Sequence, residues 1–262
     1  MRGERGRCIE APIVRGFVDL HCHWIAAIDD GARSVEASLA MLRGLKQAGF
    51  DTVMATPHMR PGMFDNDRAA LEAAFERMKP HLAGQADLPA VFLASEHFFD
   101  EIVFARLLDG QGLPYPDVGP SGAAAPKKKR GVLVELPTQA FPARIERRFF
   151  DLGRAGLRPV LAHPERYQPV WKDDSCLDPL IDAGACLLLD VCALVGKYGR
   201  ASQKAAERLL ESDAYEAACS DAHRPEDAEI TERAIEALTR RVGKAETERL
   251  LNAGPRGILG LP

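Results

Sequence analysis

The sequence predicts an α/β fold in which parallel strands are covered by helices. Two observations carry this expectation. Seven short apolar runs of strand type alternate with segments of helical periodicity, and histidines and acidic residues gather at the carboxyl ends of those runs. The runs are Phe17 to His23, Asp51 to His58, Ala90 to His97, Gly131 to Pro137, Arg158 to Pro164, Cys186 to Leu194 and Tyr215 to His223. Chemistry in parallel βα architectures collects at those ends, because loops there vary without disturbing the core.

The first run closes with Asp19-Leu20-His21-Cys22-His23. Residues two apart in a strand share a face, so His21 and His23 can aim both imidazoles at one ion while Cys22 alternates away. Asp30 and Gly31 follow in the next loop. Val35, Leu39, Leu42 and Leu45 then recur at helical spacing, as do Leu71, Phe75, Met78 and Leu82 after the second run, and both stripes face the core. That second run ends in Thr56-Pro57-His58, and the third carries Ser95-Glu96-His97. Residues 114–130, rich in Pro, Gly and Ala and closing on Lys127 to Arg130, interrupt the alternation. They are expected to form a flexible loop insertion rather than a nucleic-acid or membrane patch. Glu135 ends the fourth run and His163 the fifth, the sixth offers no ligand, and the seventh ends in Ser220-Asp221-Ala222-His223.

At 262 residues, 46% hydrophobic and 27% charged, the chain can bury one sizeable core, and residues 17–262 are expected to form a single domain. Residues 1–16 are basic without the apolar stretch of a signal peptide, and are expected to be a flexible N-terminal extension. The net charge of -4 argues against a nucleic-acid binder, and no run reaches the roughly 20 apolar residues that span a bilayer. Six cysteines without CxxC spacing read as buried thiols of a reducing cytosol, which places the protein in the cytoplasm.

Five of the seven histidines lie at run ends, leaving His81 and His97 aside. Together with the carboxylates they make His21, His23, Asp30, His58, Glu96, Glu135, His163, Asp221 and His223 candidate metal ligands, enough for two or three divalent ions. Imidazole and carboxylate donors without thiolate suit manganese, iron or zinc. Clustered cations polarise a phosphoryl oxygen and clamp the attacking and leaving oxygens of an in-line displacement, the chemistry of phosphomonoester hydrolysis. A phosphate also favours a guanidinium fork, which Arg166 offers three residues beyond His163; Arg60 and Arg224 are further candidates. Asp221 and His223 are candidates for moving a proton to the leaving oxygen. No cysteine has an arginine six positions on, so the thiol-based phosphatase route is disfavoured.

The order D-x-H-x-H, Asp29-Asp30-Gly31-Ala32, Thr56-Pro57-His58 with Gly62-Met63-Phe64, Ala162-His163-Pro164-Glu165-Arg166-Tyr167, and Ser220-Asp221-Ala222-His223 resembles the polymerase and histidinol phosphatase (PHP) superfamily. Within it the chain is most similar to the manganese-dependent bacterial protein-tyrosine phosphatases encoded with capsule and exopolysaccharide genes. The resemblance runs from Val18 to Ile258. It implies a distorted seven-stranded βα barrel of PHP type and a trinuclear site. One metal would take His21, His23, Glu96 and Asp221; a second would share Glu96 and add Glu135 and His163; a third would take Asp30, His58 and His223. Arg166 would contact phosphate, and Glu165 would be structural. The implied substrate is a phosphotyrosine protein, such as a bacterial tyrosine kinase of polysaccharide assembly. A small-molecule phosphatase such as histidinol phosphatase is the enzymatic alternative, and a non-catalytic scaffold of polysaccharide export the other. Trp24 to Ile28 departs from the family pattern and is expected to alter the pocket wall beside Asp30.

Overall fold

The computed structural model describes residues 16–116 and 129–261. Residues 1–15 of the expected N-terminal extension and residues 117–128 of the expected insertion lie outside the described residues. In chain order the strands are β1 (Phe17–Asp19), β2 (Phe50–Ala55), β3 (His58–Met59), β4 (Ala90–Leu93), β5 (Glu96–Phe98), β6 (Arg130–Glu135), β7 (Leu157–Ala162), β8 (Cys186–Asp190) and β9 (Tyr215–Cys219). All are paired in parallel, in one sheet of order β1-β2-β4 and a second of order β3-β5-β6-β7-β8-β9.

The α/β class with parallel sheets is as the alternation predicts, but the seven runs become nine strands. Two runs are each cut in two. Pro57 cannot donate to a ladder, and the neighbouring Thr56 turns aside to bond Cys22, its N–H donating to the Cys22 carbonyl at 2.9 Å and its hydroxyl accepting the Cys22 N–H at 3.0 Å. In the third run the Ser95 hydroxyl donates to the Pro57 carbonyl at 2.8 Å, and the Ser95 N–H leaves the ladder for the Leu113 carbonyl. Each cut transfers the rest of the run to the second sheet. The sixth run also stops early, at Asp190, because its carboxylate accepts the Cys192 N–H at 2.9 Å and bends the chain into a helical turn over Val191–Val195.

The helices are α1 (Val35–Ala48), α2 (Arg68–Leu82), α3 (Glu101–Leu108), α4 (Ile145–Arg154), α5 (Gln168–Lys172), α6 (Asp178–Asp182), α7 (Gly199–Glu211), α8 (Asp227–Val242), α9 (Lys244–Glu248) and α10 (Gly254–Leu259). Ser34, Asp67 and Asp100 start the first three by accepting the free N–H groups of Ala37, Ala70 and Val103, and Gly49 ends α1 in the left-handed region at φ 111°. The stripes on α1 and α2 pack inward through Leu42, Leu45, Leu71 and Met78. Trp24 also goes inward. It is fully buried with its ring 6.0 Å from Phe75 of α2, and Ile25 is buried too, so the start of the Trp24–Ile28 segment is core rather than pocket wall.

Strand alternation divides the interior into two clusters. Val18, Leu20, Met54, Ala94, Leu133, Val160, Leu188 and Ala217, drawn from all seven runs, meet in one inner cluster that Ile258 and Leu259 of α10 join. Residues of opposite parity, such as Val53, Val134, Leu161, Leu189 and Ala218, pack outward against the helices. The first and last runs are tied beyond their strands: the His23 N–H donates to the Ala222 carbonyl at 2.9 Å and the Asp221 N–H to the His21 carbonyl at 3.0 Å. Buried Asp19, pushed up to about 6 by burial, accepts the Ser220 hydroxyl at 2.5 Å and the Ser220 N–H at 3.0 Å.

Leu188 is wholly buried in the inner cluster. Leu188→Ala is expected to lower unfolding stability by about 2–5 kcal/mol in a urea titration, through lost burial and the cavity left behind.

Candidate metal centre

Strand register delivers the acidic centre. β3 pairs with β5 so that His58 stands beside Glu96, and β5 pairs with β6 so that Phe98 stands beside Glu135. His21 and His23 arrive from the segment after β1, His163 follows β7, and Asp221 and His223 follow β9. His163 and Asp221 take left-handed backbone, at φ 35° and 44°, which few non-glycine residues adopt without support from their surroundings. Gly31 allows the loop bearing Asp30 to close over the first strand, because a Cβ there would meet the His23 carbonyl oxygen at 2.0 Å.

All nine predicted ligands converge. His23, Asp30, His58 and His223 offer donor atoms within 4.8 Å of one another; so do His21, His23 and Glu96; His21, His163 and Asp221; and His58, Glu96 and Glu135. Glu96 lies at the centre. Its Oε2 is 3.3 Å from His21 Nε2, 3.3 Å from His23 Nε2 and 3.0 Å from His58 Nδ1, and its Oε1 is 3.1 Å from His163 Nε2. Asp221 Oδ1 is 3.2 Å from His21 Nε2 and 3.5 Å from His23 Nε2. Asp30, half exposed, is 3.4 Å from His58 and 3.6 Å from His223. The groups cross the partition implied by the resemblance: His58 stands with Glu96 and Glu135 as well as with Asp30, and His163 stands with His21 and Asp221.

The donor atoms fit cations better than they fit one another. His21 Nε2 and His23 Nε2 face each other at 3.0 Å, so a proton on one of them can join the pair, and without it two lone pairs point at a shared space. Among the described residues, His58 Nδ1, Glu135 Oε2 and Asp221 Oδ1 are buried without a hydrogen-bond partner, although ionic neighbours stand close. Burial, reinforced by Glu96, pushes the Glu135 carboxyl up to about 7. Burial and the Arg166 charge push His163 down to about 4, leaving a neutral imidazole suited to ligation. For Glu96, burial favours protonation, but His21 and His58 outweigh it and hold the carboxylate well below its usual range.

Around the ligands stands a shell the sequence reading did not single out. Asp29 Oδ2 bonds His23 Nδ1 at 2.8 Å and accepts the His58 N–H at 3.0 Å, while Oδ1 accepts the Gly31 N–H at 3.0 Å. It therefore fixes which His23 nitrogen points inward. Asp227 Oδ2 accepts the N–H groups of His223 and Arg224, and Lys197 stands 2.9 Å from its other oxygen. The sixth run offers no ligand, but it ends in a carboxylate: Asp190 closes β8 fully buried, pushed up to about 7 by burial and Asp221, and its Oδ1 accepts the Cys192 N–H. Acidic residues directly beside the named motifs were the available signal for Asp29 and Asp227; Asp190, inside an apolar run, gave none. His97 is structural, its Nδ1 bonding the Leu133 carbonyl at 2.8 Å and its Nε2 accepting the Leu113 N–H at 3.0 Å.

The arginines separate. Arg166 Nη1 is 2.6 Å from Asp221 Oδ2, and its guanidinium lies 4.4 Å over the Tyr198 ring. Arg60 lies 4.0 Å over Phe98 and 3.7 Å from Glu135. Arg224 is exposed, and its backbone is tied to Asp227, the N–H donating to the Asp227 carboxylate and the carbonyl accepting the Asp227 N–H. Cys22 packs against Met41 and contributes nothing to the cluster, and the described cysteines are all free thiols.

Residues 17–260 match the pattern of the family described as capsular polysaccharide synthesis, CpsB/CapC. This chain belongs to the CpsB/CapC family. Tyrosine-protein phosphatase YwqE of Bacillus subtilis is 30% identical over 207 residues, 79% of this chain and 77% of YwqE. Tyrosine-protein phosphatase CpsB of Streptococcus pneumoniae is 23% identical over 249 residues, 93% of this chain and 98% of CpsB. A crystal structure from the work on YwqE and CpsB, described there as unique metal-dependent tyrosine phosphatases, superposes with a TM-score of 0.81 at 28% identity, covering 94% of this chain and 95% of that one. In this member of the CpsB/CapC family no described helix is long and apolar enough to cross a membrane.

Asp29→Asn should preserve the fold yet weaken metal binding about 10–100-fold in calorimetric titration, because the His23 ring loses its anionic anchor.

Proposed function

We propose that this protein is a metal-dependent protein-tyrosine phosphatase that hydrolyses phosphotyrosine, a phosphomonoester, on a protein of capsule or exopolysaccharide assembly such as its tyrosine kinase. The observation that carries the reading is the convergence of nine imidazole and carboxylate side chains around Glu96 with a guanidinium at their edge. Family membership supports it, as do the names borne by YwqE and CpsB. We further propose that residues 17–262 form one domain, a distorted PHP-type barrel of seven interrupted runs closed at the contact between Cys22 and Ala222, and that it works in the cytoplasm.

We assign His21, His23, Asp30, His58, Glu96, Glu135, His163, Asp221 and His223 as ligands for two or three divalent ions, manganese first, with iron and zinc as alternatives. Bound there, the ions supply Lewis acidity toward the phosphoryl oxygens and lower the pKa of water. The chain does the rest. Glu96, reached by four imidazoles, would be shared between the ligand sets of neighbouring ions. Arg166 presents its fork to the equatorial phosphate oxygens, where charge builds in the transition state. Arg60 and Arg224 are secondary phosphate contacts. We assign His223, less buried than the other ligand imidazoles, and Asp221 to pass a proton to the leaving tyrosyl oxygen.

Chelation should abolish phosphate release from a phosphotyrosine peptide, and manganese should restore it; equal turnover of histidinol phosphate, or activity indifferent to chelation, would sink the reading. Two substitutions separate the roles. His163→Ala is expected to lower bound metal in elemental analysis together with turnover. Arg166→Ala should leave metal content unchanged while kcat/KM falls about 10²–10³-fold.

A further inference from the structure

Beside Arg166 lies an open cavity of about 190 Å³ lined by Thr138, Arg166, Gln168, Trp171, Tyr198 and Ser202. None of the nine assigned ligands lines it. Its walls are aromatic and held in place. The Trp171 indole is fixed by donating its N–H to the Glu165 carbonyl at 2.8 Å, yet the residue keeps 37% of its surface exposed. The Tyr198 ring lies beneath the Arg166 guanidinium. The Gln168 N–H donates to the Thr138 carbonyl at 2.8 Å and fixes the rim. At the cavity lining, Ser202 is 1% exposed and its hydroxyl has no hydrogen-bond partner among the described residues.

We propose that this cavity receives the aryl ring of the phosphate ester, with Trp171 as the residue that makes the site prefer aryl over alkyl phosphates. The inference rests on the phosphatase reading above and adds the position of the leaving group. Arg166 joins the two regions. The same guanidinium pairs with Asp221, at the edge of the ligand cluster, and lines the cavity, so a phosphate held by Arg166 has the cavity's aromatic rings beside it. The space suits one ring, since an apolar cavity of about 150 Å³ is enough to bind benzene. Indole and phenol faces provide offset or edge contacts to it. A rival aromatic wall exists at Phe64, whose ring stacks on His58, 5.2 Å away and 4° from parallel, and a Phe64 variant separates the two.

The test uses the full chain loaded with manganese and two competitive inhibitors, phenylphosphonate and methylphosphonate. Wild type should bind the phenyl compound more tightly. Trp171→Ala should weaken phenylphosphonate about tenfold and leave methylphosphonate unchanged. In the same variant KM for a phosphotyrosine peptide should rise while kcat holds, and Trp171→Phe should recover most of the preference. Ser202→Leu, which fills the cavity, should act like Trp171→Ala. An unchanged phenyl-to-methyl ratio in Trp171→Ala, with circular dichroism showing the native fold, would overturn the proposal, as would loss of the preference in Phe64→Ala alone. If the loaded wild type hydrolyses no phosphotyrosine peptide, the phosphatase reading fails, and the two phosphonates still decide whether the cavity takes an aryl group.

Discussion

The structure depends on a carboxylate that has almost no contact with water. Glu96 is 1% exposed, and a buried charge of that kind costs several kcal/mol unless opposite charge and hydrogen-bond donors surround it. Four imidazoles from three different runs surround it here: His21, His23, His58 and His163. Meeting that demand constrains the backbone far from Glu96. The second and third runs must break so that His58 and Glu96 fall side by side in the second sheet, and Thr56 and Ser95 hold the broken ends by side-chain bonds to Cys22 and Pro57. The first and last runs must meet, which Asp19 and Ser220 enforce. The strained backbone at His163 and Asp221, worth about 1–3 kcal/mol each, is tolerated for the same reason.

Much of this was readable in one dimension, because two periodicities carry it. Alternation along a strand put His21 and His23 on one face and Cys22 on the other, and the ends of apolar runs marked where ligands would gather. The same local logic gave the strand and helix succession. It could not give the cuts in the second and third runs, which arise from what Thr56 and Ser95 bond across space, although Pro57 was a visible warning. Nor could it find Asp190. A carboxylate inside Cys186 to Leu194 reads as a polar interruption of a strand, and only the turn it caps reveals it as a strand end. The sharing of ligands between groups, with His58 on both Asp30 and Glu96, is likewise a property of packing rather than spacing. Trp24 shows the reverse error: beside ligands in sequence, it turns into the core because its neighbour His23 takes the other direction.

The outer shell explains how a crowded set of like donors keeps one arrangement. An imidazole can present either nitrogen, and rotation would scatter the cluster. Asp29 removes that freedom at His23 and, through the His58 N–H, ties a second ligand to the same carboxylate. Asp227 does the equivalent for the chain at His223 through two backbone donors, while Lys197 stands by its other oxygen. Carboxylates thus occur in two layers with different duties, the inner facing a common centre and the outer fixing the groups that do.

Arg166 is where the two layers meet the solvent. Asp221 draws its guanidinium from one side at 2.6 Å, and the Tyr198 ring, with buried Asp190 nearby, lies against its plane at 4.4 Å. A planar fork held on an edge and a face has little freedom left to lose when an anion arrives, so its donors act without reorganisation. Lysine in the same place would keep the charge but lose both constraints, since an ammonium neither forks nor stacks as a plane. The buried Glu165–Tyr215 pair extends this support inward: Glu165 Oε1 accepts the Asp190 N–H at 3.1 Å, and Oε2 accepts the Tyr215 hydroxyl at 3.0 Å. The orientation of one surface arginine is therefore anchored in the strand core, which is why the end of β8, with no ligand of its own, still belongs to the site.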